Sequence, residues 1–346
     1  LLLKLEKTVQ PYIVVQRIIM GITTTAMVFV SVNLYISGEL DLARAILMIM
    51  ASFVIFEGLV GAGSNMAILR AAENAIDSVE FVDEIPNMEE GRDEKPIKNY
   101  DIEFKAVSFS YDERPILEDI SCLIKENSMN AIVGPSGSGK TTFCNLIARF
   151  WDVDSGKIMI GGKNIKDYTV ENLMDNISMV FQNVYLFEDT VENNIKFGKQ
   201  NASEEEVIEV AKKARCHDFI MELPQGYQSI IGEGGASLSG GEKQRISIAR
   251  AMLKDAPIII FDEATANIDP ENEDKLKDAI ESLTKNKTVI MIAHRLKTIR
   301  NADQILVLNQ GNIVERGDHE TLMEYGGLYK DLVEVKQVSE NWKLKN

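Results

Sequence analysis

Residues 134–142, GPSGSGKTT, constrain this chain more than any other stretch. The strand-like run NAIV precedes them and the helix-like run FCNLI follows. Gly134 to Thr141 fits G-x-x-x-x-G-K-[ST] between strand and helix, the spacing and context of a phosphate cradle. The small residues Gly134, Pro135, Ser136, Gly137, Ser138 and Gly139 let backbone N–H groups curl around an anion. The helix that follows turns its positive end toward the same point. In such a cradle Lys140 reaches the β- and γ-phosphates, Thr141 ligates Mg²⁺ through its hydroxyl, and Thr142 bonds a phosphate oxygen.

Three other strand ends are expected to serve this cradle. IIIFDE, Ile258 to Glu263, is a buried apolar strand ending in two carboxylates. Beside a phosphate loop, Asp262 is placed to hold Mg²⁺, and Glu263 to orient or deprotonate an attacking water. TVIMIAHR delivers His294 to the same edge, where a neutral imidazole bonds a γ-phosphate or carries a proton. MVFQN puts Gln182 at another strand end, with an amide to offer Mg²⁺ or the water. Tyr111 closes the run VSFSY and offers its ring to an adenine.

A second glycine-rich stretch, SLSGGEKQRI (Ser237 to Ile246), poses its own question. Ser239, Gly240, Gly241 and Glu242 open a helical run and offer a hydroxyl, backbone N–H groups and a helix N-terminus to an anion. One chain with one phosphate loop needs one cradle. The spare is therefore expected to serve a nucleotide held by a partner chain.

Around these motifs the pattern is α/β. From Tyr100, the runs IEFKAVSFSY, NAIVG, KIMIGG, ISMVF, IIIFD, TVIMIAH and QILVLN alternate with helical stretches, implying a largely parallel core sheet. Residues from about Val191 to Asp255 are mostly helical by pattern and read as an inserted helical subdomain. The first 86 residues differ in kind. Ile18 to Gly38 carries no charge over 21 residues, and Ala45 to Leu69 carries one acid, Glu57. Both runs have the length to span a bilayer, with a GELD turn between them. Lys4, Lys7, Arg17 and Arg70 flank the outer ends, so the positive-inside rule puts those ends and all that follows in the cytoplasm. Thr23, Thr24, Thr25, Ser31, Asn33, Ser52, Ser64 and Asn65 bond back to the helix or to a neighbouring helix, or line a path; Glu57 is paired or faces a cavity. The helical pattern runs on from Arg70 until Pro86, and polar NMEEGRDEKPIKN reads as a linker.

A formal charge of −16 opposes a nucleic-acid groove, which needs a basic face. Cys122, Cys144 and Cys216 are far apart and read as free thiols of a reducing compartment.

Taken in chain order, Tyr111, the phosphate loop, Gln182, LSGGE (Leu238 to Glu242), IIIFDE and His294 resemble the complete nucleotide-binding domain of an ATP-binding cassette (ABC) transporter. FQNVYLFEDTVENNI and GEGGASLSGGEKQRISIARAML resemble its exporter branch, as do two membrane helices fused ahead of the domain. The expected fold is an α/β P-loop NTPase (ABC ATPase) domain with an inserted helical subdomain, preceded by two transmembrane α-helices. The expected domains are 1–86 (the last two membrane helices), 87–99 (linker), 100–338 (nucleotide domain) and 339–346 (polar tail).

The resemblance implies that two copies pack head to tail, each ATP lying between one chain's phosphate loop and the other's Ser239, Gly240, Gly241 and Glu242. It implies that Tyr111 stacks the adenine, that Gln182 senses Mg²⁺ and the membrane helices, that Glu263 is the base, and that His294 contacts the γ-phosphate. In ANID (Ala266 to Asp269) the chain departs from the family, which usually has a serine where Ala266 stands. That puts one contact between subunits in doubt. An exporter half has six membrane helices and two are legible, so a cut N-terminus is expected. The expected protein is a multi-pass subunit of a bacterial cell membrane with its nucleotide domain in the cytoplasm. It uses ATP and Mg²⁺, meets membrane lipid, and pairs with a second half-transporter as a homodimer or heterodimer. It moves a substrate that the residues do not name and binds no nucleic acid. The rival readings are a soluble ABC ATPase acting on nucleic acid and an ATP-gated channel on the same scaffold.

Overall fold

The computed structural model describes residues 2–83, 88–89, 91–235, 237–262, 270–293 and 299–343 of the 346. The chain divides into two compact units, Leu1–Asn87 and Met88–Asn346.

The first unit is a pair of long helices, α1 (Leu2–Ile36) and α2 (Leu42–Asp83). At 1.5 Å per residue, the 42 residues of α2 extend about 63 Å. Between the helices, Asp41 caps α2 by accepting from the Arg44 N–H at 2.8 Å. Ser31, Ala45 and Ser52 are the buried residues among those described here, small side chains that let helix backbones approach. Residues 14–36 are long and apolar enough to cross a bilayer, and residues 42–55 are apolar over a shorter length. The Glu57, Ser64 and Asn65 side chains lie outside the described residues. The polar groups in α1 are satisfied locally. Thr23, Thr24, Thr25, Ser31 and Asn33 each donate to the carbonyl four residues back, at 2.8–2.9 Å. Ser52 donates to the Ile49 carbonyl.

In the second unit, residues 91–99 are strapped to the domain that follows. Asp93 pairs with the Lys163 ammonium, its N–H donates to the Asp167 carbonyl, and the Asn172 amide donates to the carbonyls of Asp93 and Lys95. Contact with Lys163 holds the Asp93 carboxyl below its usual range.

The strands build two main sheets. β1 (Ile102–Ser110), β2 (Pro115–Ile124), β4 (Ser155–Ile160) and β5 (Lys163–Asn164) form an antiparallel sheet in the order β2-β1-β4-β5. The other main sheet has the order β12-β11-β3-β10-β9-β6. Its members are β3 (Met129–Val133), β6 (Ile177–Val180), β9 (Ile258–Asp262), β10 (Thr288–Ile292), β11 (Gln304–Asn309) and β12 (Asn312–Gly317). All but β12 run parallel. α3 (Lys140–Ile147) follows β3, and α4 (Val170–Asp175) precedes β6. The helical insertion holds α5 (Val191–Lys196), α6 (Glu204–Lys213), α7 (His217–Glu222) and α8 (Gly240–Lys254), with the short pair β7 (Asp189–Thr190) and β8 (Ile230–Ile231). α9 (Pro270–Thr284) lies between β9 and β10, and α10 (His319–Tyr325) and α11 (Leu328–Lys343) close the chain. Residues 339–343, expected as tail, continue α11.

The parallel strands are apolar throughout because both of their faces are buried. Alternate residues feed two cores. Ile132, Ile258, Ile260, Ile290 and Ile292 meet Phe143, Leu146 and Ile147 of α3 and the antiparallel sheet, where the Phe104 and Phe143 rings stack at 4.3 Å. Val133, Ile259, Phe261 and Met291 meet Ile246, Ile248 and Ala249 of α8. The phosphate-loop helix α3 and α8, the signature helix that the second glycine-rich stretch opens, thus pack on the central sheet through separate cores.

Candidate nucleotide site

Parallel register brings four strand ends to one edge. Ile132 of β3 lies beside Ile292 of β10, Ile292 beside Asp262 of β9, and Val180 of β6 beside Phe261. With strands spaced about 4.8 Å, Asp262 stands about 10 Å from the end of β3. Ligands of open α/β sheets bind in the crevice outside these carboxyl ends. β3 leads into Gly134, β6 into Phe181 and Gln182, and β10 into Ala293.

Backbone, rather than side chains, shapes the phosphate loop. Gly139 starts α3 at φ 98°, in the left-handed region, and no side chain caps the helix. Its first-turn N–H groups are therefore left for a ligand. A Cβ on Gly139 would stand 2.6 Å from Leu117 Cδ2, and one on Gly134 would stand 2.1 Å from the Leu308 carbonyl oxygen. Pro135, Ser136 and Gly137 are exposed, whereas Ser138 and Lys140 are buried. Lys140 Nζ donates to the carbonyls of Gly134 at 3.1 Å and Pro135 at 2.8 Å, which keeps the ammonium in the mouth of the loop. Ser138 Oγ is buried with no hydrogen-bond partner among the described residues. An uncapped helix start, a buried ammonium and an orphaned hydroxyl fit a phosphate anion.

Thr141 is exposed at the start of α3. With Asp262 it supplies hard oxygen donors of the kind Mg²⁺ takes, so these residues fit the ion. Asp262 acts across to α3: burial pushes the Cys144 thiol up, and the Asp262 charge adds to that rise. Burial also pushes Cys122 and Cys216 up to about 12, so all three buried thiols are free and protonated at neutral pH. Thr142 is buried, its Oγ1 3.4 Å from the Tyr111 hydroxyl. Tyr111 is 36% exposed and packs edge-on against Phe109 and Trp151.

Gln182 is exposed just after β6. Its loop is clasped to the signature helix, a link made by residues with no signal in the sequence. Gln244 Nε2 of α8 donates to the Phe181 carbonyl at 3.4 Å, and Arg250 donates to the Tyr185 carbonyl at 2.8 Å and to Asn194. Arg250 also lies over the Phe187 and Phe197 rings, and burial lowers its pKa to about 10.

The second glycine-rich stretch opens α8 instead of following a strand of the central sheet. Ser239 is the N-cap in extended conformation, Gly240 is exposed and Gly241 buried. A capping box closes the end. The Glu242 N–H donates to Ser239 Oγ at 3.4 Å, and the Glu242 carboxylate accepts from the Ser239 N–H and hydroxyl, both at 2.8 Å. Glu263, His294 and Ala266 to Asp269 lie outside the described residues.

A phosphate loop at the carboxyl edge of a parallel sheet, with a helical insertion carrying a second glycine-rich helix start, defines a P-loop nucleotide-binding domain. Residues 117–266 match the ABC transporter family model. The chain is 47% identical over 280 residues to the ATP-dependent lipid A-core flippase of Syntrophus aciditrophicus (strain SB), covering 81% of this chain and 45% of that protein. It is 49% identical over 238 residues to the protein of the same name from Haemophilus influenzae (strain 86-028NP), covering 68% of this chain and 40% of the relative. A bacterial Atm1-family ABC exporter solved with ATP bound superposes with a TM-score of 0.75 at 34% identity, over 96% of this chain and 59% of that one. Residues 117–266 thus form an ABC transporter domain, and the proteins that the chain resembles over most of its length include a flippase and an exporter. It spans less than half the length of these curated relatives.

Proposed function

We propose that this chain is the ATP-hydrolysing part of a membrane exporter. The observation that carries the reading is the convergence of the phosphate loop, Asp262 and the β6 and β10 ends on one edge of the parallel sheet. ATP lies with its phosphates in the loop of Gly134 to Thr142 and its base on Tyr111. Mg²⁺ would be held by Thr141, Gln182 and Asp262, and supplies charge neutralisation for the transferred phosphoryl group. Glu263 takes the proton of the attacking water, and His294 bonds the γ-phosphate.

Ser239, Gly240, Gly241 and Glu242 complete the site of a second chain, so two copies or two related halves close around two nucleotides. The apolar α1 and the first part of α2 cross the membrane, and the charge pattern of their ends leaves the nucleotide domain in the cytoplasm. ATP binding favours the closed pair of nucleotide domains and hydrolysis releases it, through differential affinity for the two states. The relatives named as lipid A-core flippases support a lipid-anchored cargo taken from the bilayer.

Glu263→Gln is expected to retain MgATP binding and to lower ATP turnover about a hundredfold or more. The check is phosphate release by the full chain in lipid nanodiscs, beside equilibrium binding of MgATP. Turnover within a few-fold of wild type would remove Glu263 as the base.

A further inference from the structure

The base-binding end of the site holds an aromatic residue that the motifs do not name. Tyr111 lies just past the end of β1, in a loop whose next residues, Asp112, Glu113 and Arg114, are exposed. A ring in such a loop takes its orientation from its neighbours. Three groups fix it. Phe109, buried in the antiparallel sheet, meets the Tyr111 ring at 4.9 Å between centroids and 86° between planes. The Tyr111 hydroxyl is 3.4 Å from Thr142 Oγ1, in the first turn of α3. Trp151 meets the ring at 5.3 Å and 86°.

Trp151 stands where it does because of how α3 ends. Arg149 turns the chain with φ 52°, and the Phe150 N–H closes back on the Asn145 carbonyl at 3.0 Å. Arg149 is only 5% exposed, and its guanidinium is held by Asp152 and by the carbonyls of Lys166 and Glu89. The turn presenting Trp151 is thus anchored on several sides. The helix that begins at the phosphate loop therefore touches the Tyr111 hydroxyl near its start, and the turn after its end touches the Tyr111 ring. Phosphate seat and base platform are tied to one short rigid element.

We propose that Trp151 is a positioning residue for the base of the nucleotide, holding Tyr111 in the plane on which a purine stacks. The proposal rests on the reading that Tyr111 stacks the base. Trp151 is 49% exposed, more than a residue serving only to fill a core needs to be. Its edge-to-face geometry with Tyr111 is the arrangement that orients one aromatic ring by another.

The test separates base from phosphate. The full chain in detergent is titrated with MgADP and, in competition, with magnesium pyrophosphate, which shares the phosphates and lacks the base. Trp151→Ala is expected to weaken MgADP about fivefold, the equivalent of one edge-to-face contact, and to leave pyrophosphate within twofold. Trp151→Phe, which keeps an aromatic edge, is expected to restore most of the loss. Equal weakening of both ligands, or unchanged MgADP affinity, would overturn the proposal, because a residue that merely supports the fold does not discriminate between them. Tyr111→Ala distinguishes the two ways to fail. If it leaves MgADP affinity unchanged, the base-stacking reading falls and the role of Trp151 falls with it. If it weakens MgADP while Trp151→Ala does not, only the positioning role is lost.

Discussion

The two glycine-rich loops of this chain look alike in sequence and are built in opposite ways. In the phosphate loop, the helix starts from a left-handed glycine with no side-chain cap, Ser138 Oγ is buried without a partner among the described residues, and the ammonium of Lys140 donates to two loop carbonyls. In the signature loop, the helix starts from an extended serine and is closed by a reciprocal capping box with Glu242. One loop leaves its helix-start donors for a ligand, and the other satisfies those of Ser239 and Glu242 from within. The phosphate loop is therefore ready for an anion in the isolated chain, whereas the signature loop is stable without one.

Four substitutions test that contrast. The largest effect is expected at Gly139. Gly139→Ala places a Cβ 2.6 Å from Leu117 Cδ2 on a residue at φ 98°, and about 2 kcal/mol of stability should be lost. Thermal unfolding of the full chain without nucleotide measures it; an unchanged midpoint would mean that the loop relaxes freely. A smaller effect with opposite outcomes is expected of the paired serines. Ser239→Ala removes an N-cap and should cost about 1 kcal/mol, while Ser138→Ala removes a buried hydroxyl with no partner among the described residues and should be neutral or slightly stabilising. Equal losses in the same unfolding measurement would erase the distinction between an open loop and a closed one. The smallest stability effect belongs to Glu242→Gln, about 0.5 kcal/mol or less, because the amide can keep one capping bond while the charge at the helix start is lost. Glu242 enters the proposed partner site through its backbone N–H, which the variant keeps, so loss of the repelling charge should strengthen ATP-dependent pairing of chains, read by sedimentation in the Glu263→Gln background. Weaker pairing would show that the carboxylate helps the partner's nucleotide.

What was legible in the sequence was what local chemistry writes locally. The phosphate loop declares itself by spacing, and Ile258 to Ile260 and Val289 to Ile292 declare buried parallel strands by unbroken apolar runs. β2 was not foreseen, for a geometric reason. Leu117 and Ile120 are both buried, three residues apart, because Asp119 adopts φ 48° and the pairing with β1 shifts register there. A bulge puts the alternation out of phase, so a period-two pattern is lost to the eye. β12 alternates half-buried with exposed residues and carries Glu315 and Arg316, which leaves little apolar signal. Residues 91–99 read as a linker because their partners, Lys163 and Asn172, lie some 70 residues or more further along. Trp151, Gln244 and Arg250 were missed for the same reason, since nothing in their neighbourhood announces a distant partner.

The closed signature loop has a consequence for selectivity. A carboxylate already sits at the start of α8, bonded to Ser239 through both the N–H and the hydroxyl. On the proposed reading, an anion arriving from a partner chain meets that resident charge beside the N–H groups of Gly240 and Gly241. A singly charged ion such as chloride would gain little against that carboxylate. A terminal phosphate with two charges and three acceptor oxygens gains both field and hydrogen bonds. On that reading the loop would act as a valence filter, favouring a ligand more highly charged than its own side chain.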